Sequence, residues 1–189
     1  MPVPEGDAVV PVVNRLQPAF DLVIATQDWH PANHVSFAVL HPGKQEGDVI
    51  KVDGLPQALW PVHCVQNTRG GNFVPTLETR RIAKVIQKGA DPELDSYSGF
   101  FSNGHRKATE LETYLKTCGV TDVHIAGLAT DYCVKATALD AAKLGFRTHL
   151  VEDACRGVNL NAGDVAHAIE EMKQAGVEIC READIVTTA

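Results

Sequence analysis

Nothing in this 189-residue sequence runs long, basic or paired. No stretch approaches the roughly eighteen consecutive apolar residues of a membrane-spanning helix, so no membrane partner is expected. Lys and Arg number 17 against 24 Asp and Glu, and no basic cluster interrupts the formal charge of −7. That balance argues against nucleic acid or an anionic surface as partner and leaves small neutral substrates open. The five cysteines, at 64, 118, 133, 155 and 180, form neither a CxxC pair nor a disulfide framework. With no signal-peptide pattern either, a reducing cytoplasm is the expected setting. Linkers rich in Ser or Gly, internal repeats and low-complexity segments are also missing, which reads as one domain over 1–189.

What is present centres on Cys133. Val123, Ile125, Ala126 and Gly127 form a short apolar run suited to a buried parallel strand, and Tyr132 to Leu144 switches to helical spacing before Gly145. A cysteine in the first turn of such a helix sits near unpaired N–H groups and the positive end of the dipole, which favour thiolate. The same residue also suits a buried core position. Phe20–Thr26, Arg81–Lys88, Thr148–Val151 and Val177–Cys180 read as further strands. Asp7–Leu16, Asp164–Ala175 and a segment through Cys118 opened by a Thr109/Glu112 capping box read as helices. The alternation predicts an α/β fold, doubly wound around a mainly parallel sheet. Residues 31–79, broken by Pro and Gly but carrying His34, Phe37, Trp60 and His63, read as an ordered loop region over the sheet edge.

Chemistry gathers at that edge. Asp28 and His30 follow the first predicted strand, and with His63 they offer a carboxylate and two imidazoles suited to zinc, iron or manganese. His34 is a fourth ligand or a neighbour; the Asp-x-His pattern alone reads first as a surface turn, and His63 as a third residue makes the metal reading its equal. Lys88 is either a solvated charge or an ammonium that lowers the Cys133 pKa. The Gly127–Thr130 turn could direct N–H groups at an oxyanion. Trp60, Tyr97, Phe100, Phe101 and Tyr132 could line a pocket for a planar substrate or belong to the core.

Four segments in order, QDWHPANHVSFA, LWPVHCVQ, KGADPELDSYSGF and GLATDYCVKATALDAAKLGF, resemble the nicotinamidase/pyrazinamidase family of isochorismatase-like cysteine hydrolases. The resemblance implies hydrolysis of nicotinamide to nicotinate and ammonia through a cysteine thioester, a step of NAD salvage, with pyrazinamide-type analogues also accepted. It makes Cys133 the nucleophile and Lys88 its lysine. Asp28, His30 and His63 become ligands of one divalent transition metal, zinc foremost, with iron or manganese as alternatives, holding the pyridine nitrogen. It implies a cis Leu128–Ala129 peptide, an oxyanion hole from the N–H groups of Ala129 and Cys133, and pocket walls at Trp60, Tyr97, Leu128 and Tyr132. A small-molecule substrate and a possible homo-oligomer complete the expected partners.

The family also carries a general-base Asp at the end of a strand that precedes PVPEGD. The present sequence opens inside that following segment, so the expectation is a domain lacking its first, central strand, poorly folded and inactive unless extended upstream. The alternatives are another isochorismatase-like amidohydrolase, or a catalytically impaired metal- or ligand-binding pseudoenzyme.

Overall fold

In the computed structural model, which describes residues 3–186, the apolar runs of the sequence become short parallel strands. Helix α1 (Val9–Leu16) leads into β1 (Val23–Asp28). A hairpin of β2 (Val49–Val52) and β3 (Leu55–Ala58) follows, then β4 (Ile82–Lys88) and α2 (Leu111–Thr117). The second half runs β5 (Asp122–Leu128), α3 (Lys135–Lys143), β6 (Arg147–Arg156), α4 (Asp164–Gln174), β7 (Glu178–Cys180) and α5 (Glu182–Ile185). β1 pairs with β4, and β5, β6 and β7 pair in that order, all parallel; β2–β3 is antiparallel. Among the described residues these are separate hydrogen-bonded sheets.

Adjacent residues of β6 show why helices lie on both faces. Leu150 packs with Val134, Ala138 and Met172 of the α3–α4 side, while Val151 packs with Leu16, Val12 and Val13 of α1. Strand side chains alternate, so neighbours serve opposite layers, and both must be apolar. A third cluster joins the two sheets: Ile24 of β1 and Ile86 of β4 meet Val123 and Ile125 of β5 over Leu111 and Leu115 of α2. The doubly wound reading holds.

Several local expectations change. Asp7 does not cap the first helix, which starts instead from a 3-10 turn at Gly6–Ala8. The Thr109/Glu112 capping box is not made: Thr109 Oγ1 accepts the N–H of Leu111, and Glu112 pairs with Lys116 at 2.6 Å. One helical turn between Glu112 and Lys116 makes that i,i+4 pair a competing use of the carboxylate. Glu152 and Asp153 lie within β6, which is longer than its apolar run. The 31–79 region holds the short β2–β3 hairpin, with Asp53 and Gly54 both at positive φ at its tip. The segment Thr130–Val134 winds as a π-helix before α3 begins.

Candidate active site

Strand register brings the first two groups together. Asp28 and Lys88 are partners across the β1–β4 pair, so their side chains leave the same face, and Lys88 Nζ donates to Asp28 Oδ1 at 2.5 Å. The same ammonium donates to Ser96 O at 2.9 Å and to Cys133 Sγ at 3.3 Å. Lys88 is buried, and its three donors meet these three acceptors. Burial disfavours its charge, but the Asp28 carboxylate and the Cys133 sulfur hold its pKa above the ordinary lysine value. Burial likewise works against the Asp28 carboxylate, and Lys88, His30 and His63 outweigh it to hold its pKa low.

The thiol answers differently from the expectation that it is acidic. Burial pushes Cys133 up to about 11, with Lys88 pulling down and the Asp28 charge pushing up again. The ammonium and the helix start favour thiolate, but desolvation of the sulfur outweighs them. Burial therefore favours the thiol at Cys133, beside a cation that favours its thiolate.

Asp28, His30 and His63 offer ligand atoms within 4.8 Å of one another. His30 Nδ1 lies 2.8 Å from Gly89 O and His63 Nδ1 2.8 Å from Pro61 O. A carbonyl only accepts, so each Nδ1 bears the proton, and in the neutral ring this leaves the lone pair on Nε2, the tautomer a metal requires. The residues fit a divalent metal ion. Burial holds His63 below the usual imidazole range, which favours this neutral form. His30 is seated on Gly89, where an added Cβ would lie 2.4 Å from the ring, so the glycine after Lys88 is required by the imidazole. Phe37, fully buried, packs edge-on against His30, His34 and His63 at 5.6–5.8 Å.

His34 is not brought into that set. Its ring stacks on His30 at 4.2 Å, and its Nδ1 accepts from the main-chain N–H of Ser36 at 3.4 Å beside Ser36 Oγ at 2.7 Å. In that tautomer the proton sits on Nε2, which faces Asp95 Oδ1 at 4.0 Å without a hydrogen-bond partner among the described residues, and His34 joins His30 and Asp95 in a second group whose ligand atoms lie within 4.8 Å of one another.

The aromatic residues assemble as a wall. Trp60 and Tyr132 meet edge-on at 4.7 Å, Tyr97 and Tyr132 lie 5.6 Å apart, and Trp60 Nε1 donates to Tyr97 OH at 3.2 Å. Phe100 instead packs in the core with Phe146, and Phe101 stacks on His105. Leu128 stands 42% exposed with its side chain beside Gly6. The Leu128–Ala129 peptide is cis, and Ala129 O accepts from the N–H groups of Tyr132 and Val134 around Cys133.

Sequence reasoning missed Asp95, Gln57 and the carbonyl of Ser96. Gln57 Nε2 donates to Asp95 Oδ2 at 2.8 Å and approaches Tyr97 OH at 3.5 Å, so it fixes the wall from behind. The only available signal was the polar run around Asp95 in DPELDSYSGF.

Fold and site define a class: an α/β enzyme with a thiol, an ammonium and three residues able to hold a metal ion at the carboxyl ends of parallel strands. Residues 2–184 match the Isochorismatase domain family. The chain belongs to the isochorismatase family. It is 49% identical over 186 residues to the nicotinamidase of Escherichia coli K12, covering 96% of this chain and 87% of the relative. A solved nicotinamidase/pyrazinamidase of Acinetobacter baumanii superposes with a TM-score of 0.95 at 44% identity, covering 98% of this chain and 89% of that one. A pyrazinamidase of Pyrococcus horikoshii solved in complex with zinc gives 0.77 at 41% identity, covering 95% and 88%.

Proposed function

We propose that the chain is a nicotinamidase, hydrolysing nicotinamide to nicotinate and ammonia, with Cys133 as nucleophile. The observation that carries the reading is the 3.3 Å contact of Lys88 Nζ with Cys133 Sγ, made next to the Asp28, His30 and His63 cluster. Similarity to named nicotinamidases supports the substrate. Trp60, Tyr97 and Tyr132 offer flat apolar surface to a pyridine ring.

In the reaction the Cys133 sulfur bonds to the carboxamide carbon as the C–N bond breaks, and the thiol proton leaves with the nitrogen as ammonia. Water then cleaves the thioester, its oxygen bonding to the acyl carbon as the C–S bond breaks; one proton restores the thiol and the other leaves with the ammonia as ammonium, giving carboxylate. Because burial holds that thiol near 11, its ionisation belongs to the attack itself, and Lys88 stabilises the sulfur as charge develops. Lys88 stays charged throughout, since the Asp28 carboxylate beside it offsets the cost of burying an ammonium. The N–H groups of Ala129 and Cys133 are assigned to the carbonyl oxygen. Asp28, His30 and His63 would hold a divalent ion, which we assign as zinc; when bound it supplies a Lewis-acid site for the ring nitrogen.

The test is ammonia release from nicotinamide by the purified protein, with Cys133→Ala as control. Turnover that depends on Cys133 is expected, in place of the expectation from sequence that the chain is inactive unless extended upstream. Equal release by the variant overturns the assignment.

A further inference from the structure

The turn that carries Cys133 is held by a carboxylate two residues before it. Asp131 is only 6% exposed, yet among the described residues its oxygens pair with no cation: Oδ1 accepts the N–H of Val158 at 2.9 Å and Oδ2 the N–H of Asn159 at 2.7 Å. Both donors belong to the loop between β6 and α4. That loop is shaped to receive the acid. A Cβ on Gly157 would stand 2.2 Å from a Val165 methyl and 3.0 Å from Asp131 Oδ1, so any larger residue would displace Val165 and press on the carboxylate. Asn159 takes a left-handed backbone, φ 55°, which turns its own N–H to Asp131 while its Oδ1 accepts from Val165 N at 3.3 Å in the first turn of α4.

The other side of the turn is held separately. Thr137 Oγ1 donates to Cys133 O at 2.7 Å and accepts from Gly99 N at 2.9 Å, tying the nucleophile's carbonyl to the loop that supplies Ser96 O to Lys88. Cys133 thus lies in a π-wound turn between two anchors, one at Asp131 and one at Thr137. Such a turn is an uncommon winding that neighbouring contacts have to define.

We propose that Asp131 is a positioning residue for the proposed amide hydrolysis: its carboxylate, seated in the Gly157–Asn159 loop, fixes the turn so that Cys133 Sγ meets Lys88 and the carboxamide carbon. The proposal rests on Cys133 being the nucleophile. Asp131 does not touch the substrate. Its effect reaches the sulfur through the turn, and misplacement by about 1 Å is enough to cost on the order of a hundredfold in rate.

The experiment compares wild type with Asp131→Asn and with the smaller Asp131→Ser, each checked for cooperative unfolding. It measures kcat and KM for nicotinamide and, separately, the rate at which iodoacetamide alkylates Cys133 between pH 6 and 10. Expected in a folded variant is a loss of at least about tenfold in kcat, KM within about threefold, and an alkylation profile slowed and displaced to higher pH. Asn should suffer although it is the same size, because its amide nitrogen meets an N–H donor. Either folded variant within about twofold of wild type in kcat and alkylation overturns the proposal. So does a loss of kcat with an unchanged alkylation profile, or failure of both variants to fold, which makes the carboxylate merely structural. Wild type that is alkylated at Cys133 but releases no ammonia refutes the nicotinamidase reading instead, and the alkylation comparison still judges Asp131.

Discussion

Each donor of the Lys88 ammonium has its own acceptor, and no uncharged side chain of that length could serve all three. Lys88→Met is expected to remove turnover and to destabilise by about 3 kcal/mol, the low end of the range for breaking a buried pair, because Asp28 keeps some contact with water. Turnover is read by ammonia release and stability by urea unfolding. Cys133→Ala should abolish hydrolysis, whereas Cys118→Ser, at an exposed position, should leave it within about twofold. Histidines set the acid limit. Burial and the neighbouring His30 hold His34 at about 4, and His63 and His124 are also lowered. Below about pH 6.5 the unfolded chain takes up protons that these folded imidazoles refuse, so stability is full above that value and is lost down to about pH 4. For fully buried His34 the slope approaches about 1.4 kcal/mol per pH unit. Asp28, with its pKa lowered, loses its contribution only in more acid solution. Urea midpoints of metal-stripped protein that stay level from pH 7 to 4.5 would contradict this. At this scale the sequence showed residue types, so Asp28, His30, His63, Lys88 and Cys133 could be singled out. It did not show desolvation, so the thiol was expected on the acidic side, and the proton on His34 Nε2 depends on Ser36 in a way no spacing reveals.

Elements were legible where one period ran unbroken. The apolar runs at β1, β4 and β5 and the spacing in α4 needed only alternation or a 3.6 repeat. The β2–β3 hairpin was hidden because Pro56 sits inside a strand, and the first turn of the Cys133 helix because π and α windings share residue preferences. β6 was shortened in the reading because Glu152 and Asp153 look like a loop, yet their strand segment is held by Asp153 accepting the N–H of Glu182 at the start of α5. This strand is the test of layer packing. Leu150 is fully buried against Val134, Ala138 and Met172, so Leu150→Ala is expected to cost about 2–5 kcal/mol, measured by denaturant unfolding. Val134 belongs to the same cluster, so the loss should also be felt in the turn that holds Cys133.

Taken whole, the molecule gathers its site from segments that the sequence keeps far apart. A metal bound by Asp28, His30 and His63 in the folded chain stabilises by mass action, about 2.7 kcal/mol at a hundredfold excess over Kd. For a chain of this size that corresponds to about 5–10 °C in Tm. Chelation should lower Tm by that amount and zinc restore it, while His30→Ala should show no response to zinc; equal responses would mean the wrong ligands. The pairing of Asp28 with Lys88 across β1 and β4 has one more consequence, for the order in which the molecule is made. Asp28 and Lys88 are separated by 60 residues, Lys88 and Cys133 by 45, and Asp131 and Asn159 by 28. Each contact closes a long loop, and such loops come together slowly compared with a helical turn or the β2–β3 hairpin. Ammonia release should therefore return only in the slowest phase of refolding, which makes activity a reporter of a finished chain.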